Sequence, residues 1–146
     1  MTMFRLRRVA GLCAATLTLT ASEALAAPTL LKQIALPGAP FDGIAITPDG
    51  SKLYVSLVKT KNPGLNTIAV IDTASLTVTD EIELGDQGAN NSSPRQLYMA
   101  PDGKTLVHAT YVDNLIFIDT AVDMVIDTVP GVGSAVAVFT GDSARL

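Results

Sequence analysis

The chain has no tryptophan, a single cysteine and a single histidine among its 146 residues, and aromatics make up only 5% of it. With Cys13 alone no internal disulfide can form, and Cys13 with His108 cannot supply the four ligands of a structural metal site. Positive charge is scarce: ten Lys and Arg face fourteen Asp and Glu, a net charge of −4. A chain without a basic cluster has no footprint for nucleic acid, whose affinity rests on neutralised phosphates, and none for an anionic membrane surface. Also missing are a haem-attachment Cys-x-x-Cys-His, a Gly-x-Ser-x-Gly elbow and a phosphate-cradling glycine loop. Helical periodicity is almost absent after residue 27. A 48% hydrophobic and 16% charged composition nevertheless belongs to a folded chain of one small domain.

The first residues have their own pattern. Arg5, Arg7 and Arg8 precede an apolar run from Val9 to Leu19, and Ala24-Leu25-Ala26 follows as a small-x-small cleavage signal. This is the layout of a secretory signal peptide cleaved after Ala26, giving a periplasmic, secreted or envelope protein. The run is too short for the roughly 20 residues of a spanning helix, so no membrane span is expected after cleavage. Arg7-Arg8 raises a twin-arginine route, but the residues that follow fit it poorly. Cleavage removes three arginines and Glu23, taking the net charge from −4 to −6, and it removes Cys13.

In the remainder, short runs of Val, Ile, Thr and Tyr alternate with Pro, Gly, Asp and Asn, the pattern of many short strands. Expected strands are Gly43–Thr47, Lys52–Val58, Thr67–Asp72 and Thr77–Leu84, then Gln96–Ala100, Thr105–Thr110, Asn114–Asp119 and Met124–Val129. Thr67–Asp72 and Asn114–Asp119 are apolar enough to be buried on both faces. Thr77–Leu84 alternates, with Val78, Ile82 and Leu84 expected on one face and Thr77, Thr79, Glu81 and Glu83 on a wet one. Pro48-Asp49-Gly50 and Pro101-Asp102-Gly103 supply fixed φ, an Asx hydrogen bond and a residue that tolerates positive φ. Asp72-Thr73 and Asp119-Thr120 close strands by local side-chain bonds. Turn chemistry explains these aspartates without a metal.

The Pro-Asp-Gly unit recurs, and Thr140-Gly141-Asp142 is a third, degraded copy. From Thr47 to Ala100 is 53 residues and from Ala100 to Thr140 is 40; the shorter period lies in the range of about 40–45 residues for a four-stranded propeller blade. The longer repeat carries insertions at Lys59–Asn66 and Asp86–Ser93.

Pro48-Asp49-Gly50-Ser51-Lys52-Leu53-Tyr54-Val55 with Thr67-Ile68-Ala69-Val70-Ile71-Asp72-Thr73, and Pro101 to Leu106 with Asp113 to Thr120, carry a family resemblance. The chain resembles the YVTN-type β-propeller repeat proteins of bacterial and archaeal envelopes. Tyr54-Val55-Ser56-Leu57 keeps half of the name-giving tetrapeptide. The resemblance implies an all-β fold of four-stranded antiparallel propeller blades, about two and a half blades of an incomplete propeller. Its parts are a signal peptide (1–26), an N-terminal strand and linker (27–40), blade 1 (41–93), blade 2 (94–133) and the start of a third blade (134–146). In related propellers a segment like Thr29–Leu36 is the fourth strand of the last blade. The chain is therefore expected to be an N-terminal fragment of a larger ring, the alternative being a short chain that assembles with copies of itself.

In such a blade both insertions emerge at one end, with the lead-in segments Pro40-Phe41-Asp42-Gly43 and Pro94-Arg95-Gln96. In propellers that resemble this one, that face surrounds the channel mouth and carries binding. Asp42 and Arg95 occupy matching positions with opposite charge, and Lys59, Lys61, Asn62, Asn90 and Asn91 stand on the rim. These are the candidate ligand-binding residues; no catalytic residue, metal ligand or cofactor is expected. Asn91-Ser92-Ser93 matches a glycosylation sequon but reads as a polar loop behind a bacterial-looking signal. His108, with Val107 and Ala109 beside it, reads as a packed or surface histidine. The leading expectation is a non-enzymatic binding scaffold for a small molecule or protein, with self-association through exposed blade edges. The alternative is a fragment of a propeller enzyme or enzyme subunit, lactonase-like or like the large subunit of a quinoprotein amine dehydrogenase.

Overall fold

β-Branched residues suit a pleated, half-buried surface, and the turns between them supply the backbone angles that reverse the chain. The result is a series of hairpins. The computed structural model describes residues 30, 32–58, 66–84, 94–110, 114–132 and 137–143, with all their side chains except those of residues 94 and 95. The eight strands are β1 (Ala39–Ile46), β2 (Lys52–Val58), β3 (Asn66–Asp72), β4 (Thr77–Glu83), β5 (Pro94–Met99), β6 (Thr105–Thr110), β7 (Leu115–Asp119) and β8 (Met124–Val129). They pair in chain order into two antiparallel sheets, β1-β2-β3-β4 and β5-β6-β7-β8. β2, β6 and β8 match the expected spans, while β1 and β5 start earlier than expected, at Ala39 and Pro94.

The turns are built from the repeat residues. Gly50 N donates to Thr47 O and Gly103 N to Ala100 O, both at 2.8 Å, with φ of 74° and 73° at the two glycines. After the third strand of each sheet, Thr73 Oγ1 donates to Gly50 O and Thr120 Oγ1 to Gly103 O, both at 2.5 Å. The threonine of each Asp-Thr pair thus ties the third strand to the Pro-Asp-Gly turn. The third copy keeps this chemistry: Ser143 N donates to Thr140 O, and Thr140 Oγ1 donates to Asp142 Oδ1 at 2.6 Å, as Thr47 Oγ1 does to Asp49 Oδ1.

The sheets stack face to face within one unit, residues 31–146. Tyr54, Ile68, Val70, Ile82 and Leu84 of blade 1 pack against Leu97, Leu106, Ile116 and Ile118 of blade 2. The opposite face of blade 1 holds Val55, Leu57, Ala69 and Ile71; that of blade 2 holds Val107, Ala109 and Leu115, with Ala137 and Phe139 laid on it. β3 is buried along nearly its whole length, as expected of a strand covered on both sides.

One expected face is corrected. Val78 does not share a face with Ile82 and Leu84. It packs with Val55 and Ile71, while those two join the seam between blades. The cause is a register shift between Val70 and Ile71, where Val70 pairs with Asp80 and Ile71 with Val78. One extra residue inverts the alternation of everything beyond it.

The described part of the N-terminal segment, residues 30 and 32–36, forms no strand. Lys32 Nζ donates to Ser75 O at the β3–β4 turn, and Ile34 and Leu36 pack on the free face of blade 1. The strands that would pair with such a segment are not among those described.

Candidate functional site

The inner strands β1 and β5 lie side by side, and both break register at the same end. In β1 the break lies between Pro40 and Ile44; in β5 it lies between Pro94 and Gln96. Proline cannot donate to the ladder, so it suits a strand end, and bulges there re-aim side chains away from the sheet. Asp42 lies inside the first break and Arg95 inside the second. Below Asp42, Gly43 N donates to Ser56 Oγ at 2.9 Å and Ser56 Oγ returns a bond to Gly43 O at 3.2 Å, anchoring the strand where regular pairing resumes.

Asp42 is exposed and has no hydrogen-bond or ion-pair partner among the described residues, and Phe41 beside it is also exposed. The Arg95 backbone occupies the matching position on the neighbouring strand, and its side chain lies outside the described residues. Lys59, Lys61, Asn62, Asn90 and Asn91 also lie outside them, as do the sequon and residues 1–26. The strand ends that flank both insertions, Val58 and Asn66, then Leu84 and Pro94, are at the same end as Ala39. What is described at this end is an unpaired acid, Asp42, with the backbone of Arg95 at the equivalent place on the neighbouring strand.

A second concavity lies at the opposite end. A cleft of about 460 Å³ runs between the Pro-Asp-Gly turns of the two blades, lined by Thr47, Asp49, Ser51, Lys52, Asp102 and Thr120 among others. Its polar groups are already committed. Asp49 accepts from Thr47 Oγ1, Ser51 N and Ser51 Oγ, and these bonds, the Thr47 hydroxyl foremost, hold its carboxyl down at about 2. Lys52 Nζ donates to Asp123 Oδ2 at 2.6 Å and to Thr120 O at 2.8 Å. Tyr54 OH donates to the other Asp123 oxygen at 2.7 Å. Burial first, and then this bond to a carboxylate, pushes the Tyr54 phenol well above its usual range. These groups fasten blade 1 to blade 2. The cleft is structural.

The seam network was not read from the sequence, although Lys52 and Tyr54 stand two apart on one strand and so share an edge direction. Its third member, Asp123, takes the place of Leu76 in blade 1, and both have φ of 54°. His108 is packed in the seam, and neither ring nitrogen has a hydrogen-bond partner. Burial alone lowers its pKa to about 4, so it is neutral near pH 7 and closed to solvent. Among the described residues no group of three or more His, Cys, Asp or Glu could hold a metal ion, and no helix is long and apolar enough to cross a membrane.

No protein-family model matches the chain, and no curated protein matches it. Among solved structures the chain is similar to the WD40 repeats of RRP9, at 15% identity and a TM-score of 0.52, covering 64% of this chain and 26% of that one. It is also similar to hydrazine synthase from Kuenenia stuttgartiensis, at 27% identity and a TM-score of 0.47, covering 59% of this chain and 22% of that one. The chain thus spans 22% and 26% of these two proteins' own lengths. Two stacked four-stranded antiparallel blades and the likeness to WD40 repeats define the class: this is a β-propeller repeat protein. The likeness carries the fold and nothing more.

Proposed function

We propose that the chain is an exported, non-enzymatic propeller scaffold of the YVTN type that binds a polar ligand or partner at the channel-mouth end of its inner strands. The observation that carries this reading is the matched pair of register breaks, which puts Asp42 and Arg95 at equivalent places on neighbouring blades. A structural ion pair at an exposed site would contribute only about 0–1 kcal/mol, a weak reason to build two breaks. The Arg5 to Ala26 segment directs export, with cleavage after Ala26 and a periplasmic or envelope destination. The rim residues Lys59, Lys61, Asn62, Asn90 and Asn91 extend the binding surface.

Two measurements test the reading. Mass spectrometry of the protein recovered from the periplasmic fraction is expected to show an N-terminus at Ala27; an intact Met1 in the cytoplasm removes export. A thermal-shift screen of small polar and zwitterionic compounds is expected to give stabilisers whose effect disappears in the Asp42→Ala, Arg95→Ala double variant. Stabilisation undiminished in that variant removes the site.

A further inference from the structure

The repeat stacks in one direction, and the chain makes the same step twice. In the first step Ala45 of β1 packs in the seam with Leu97 and Met99 of β5. In the second, Tyr98 stands where Ala45 stood, and it packs with Ala137 and Phe139 in the places of Leu97 and Met99. The turns stack in the same sense. A Cβ on Gly103 would lie 2.7 Å from Pro48 Cδ of the turn before it. One repeat on, Ser143 takes the place of Gly103, and its Oγ accepts from Asp102 N at 3.0 Å.

Both outer surfaces of this series are bare. Val138 comes next after Ala45 and Tyr98, and it is 73% exposed although Ala137 and Phe139 on either side pack inward. On the opposite surface Ile44 and Ile46, the equivalents of Leu97 and Met99, are 65% and 51% exposed. The turns repeat the pattern: Gly50 and Gly141 stand where Gly103 and Pro48 stand, and a Cβ on either meets nothing within 4 Å. The chain therefore carries both halves of a contact that it has already made twice.

The widths match as well. Ile34 and Leu36 shield the outer part of the blade 1 face, so the bare strip is that of β1 alone. Residues 137–143 are likewise one segment laid on blade 2, with no strand paired to it among the described residues. An apolar strip takes the partner that matches its side-chain spacing and its turn, and the chain itself supplies such a surface.

We infer that copies of this chain associate head to tail, with the Val138 side of residues 137–143 in one copy seated on Ile44 and Ile46 of the next. The contact joins two different surfaces, so each pair keeps one free half at either end and the series grows until it closes. It uses a sheet face rather than a strand edge, and it does not rest on ligand binding at the channel mouth.

The test is complementation between two variants of the full chain. Ile44→Lys with Ile46→Lys blocks one half, and Val138→Lys blocks the other. All three side chains are exposed, so both variants keep the fold, which far-ultraviolet circular dichroism checks. Serine replaces lysine in any variant that loses it. In sedimentation velocity, at a concentration where the unmodified chain associates, each variant alone is expected to run as monomer, its association weakened by about tenfold or more. Mixed in equal amounts, the two are expected to form a one-to-one dimer and nothing larger, because each supplies the half that the other lacks. The inference is overturned if the unmodified chain stays monomeric across its soluble range, or if Val138→Lys associates as strongly as the parent. It is equally overturned if the mixture remains monomeric, the result expected when Ile44 and Ile46 of two copies meet each other. A monomeric parent whose binding to phosphatidylcholine vesicles is lost on replacing Ile44 and Ile46 overturns it in favour of lipid.

Discussion

Gly50 and Gly103 occupy the same turn position with nearly the same positive φ, yet their surroundings differ. A Cβ on Gly50 meets nothing within 4 Å, while one on Gly103 meets Pro48 Cδ at 2.7 Å across the seam. Gly50→Ala therefore costs only the left-handed backbone, about 1 kcal/mol, and Gly103→Ala adds a clash with a rigid ring for at least about 2 kcal/mol in all. Urea midpoints of the two variants check the order, and equal losses would refute it. His108 gives a second comparison, because its equivalent in blade 1 is Val55. Its pKa of about 4 lies below the ordinary 6.5, so the unfolded chain binds the proton more readily than the folded one. Stability from the neutral ring is complete above pH 6.5 and falls as pH drops toward 4, by roughly 3 kcal/mol in total. His108→Leu removes both this loss and two unpartnered nitrogens. The variant is expected to be more stable than the parent by about 1–3 kcal/mol at pH 7. The gap should widen between pH 6.5 and 4 in denaturant titrations. A constant gap would mean that the ring has access to water or to a partner.

At the scale of strands, the seam depends on one carboxylate. Asp123 takes the Lys52 ammonium on one oxygen and the buried Tyr54 hydroxyl on the other, from a position with φ of 54°. Asp123→Asn keeps an acceptor for Tyr54 and tolerates that φ, so it should cost about 1 kcal/mol or less. Asp123→Ala strands the Tyr54 hydroxyl and strains the backbone, for about 2–3 kcal/mol. Thermal unfolding of both variants, with Tyr54→Phe as background, separates the contributions: if the tyrosine hydroxyl is the stranded group, Asp123→Ala costs less there. What the sequence made legible at this scale was local. Alternating Val, Ile and Thr placed the strands, and Pro-Asp-Gly placed the turns, because both signals act within a few residues. What it hid was non-local or off by one. The bulge at Thr79 sends Val78 to the other face without any marker in the sequence. Asp123 looks like one more turn aspartate until the blades are stacked. Asp42 and Arg95 were readable as matching positions, but only the ladders showed that each lies in a register break.

For the molecule as a whole, the repeat makes each blade a template for what its neighbour needs. Leu97 and Met99 on β5 pack into the seam beneath blade 1, where Gly43 and Ala45 leave room for them. Their equivalents on β1, Ile44 and Ile46, are 65% and 51% exposed. The outer part of that same face is shielded by Ile34 and Leu36, so the bare region is the inner part alone. Burying one isoleucine side chain is worth roughly 1.5 kcal/mol or more, close to tenfold in an association constant. The chain is therefore expected to associate with itself as its concentration rises, with Ile44 and Ile46 in the contact. Replacing either with lysine should weaken association by about tenfold, and replacing both should leave monomer in sedimentation equilibrium. Met124→Thr with Ile126→Thr should leave this association unchanged, because β8 lies at the far edge of the other blade. Association insensitive to Ile44 and Ile46 would show that residues 32–36 already close the blade 1 face.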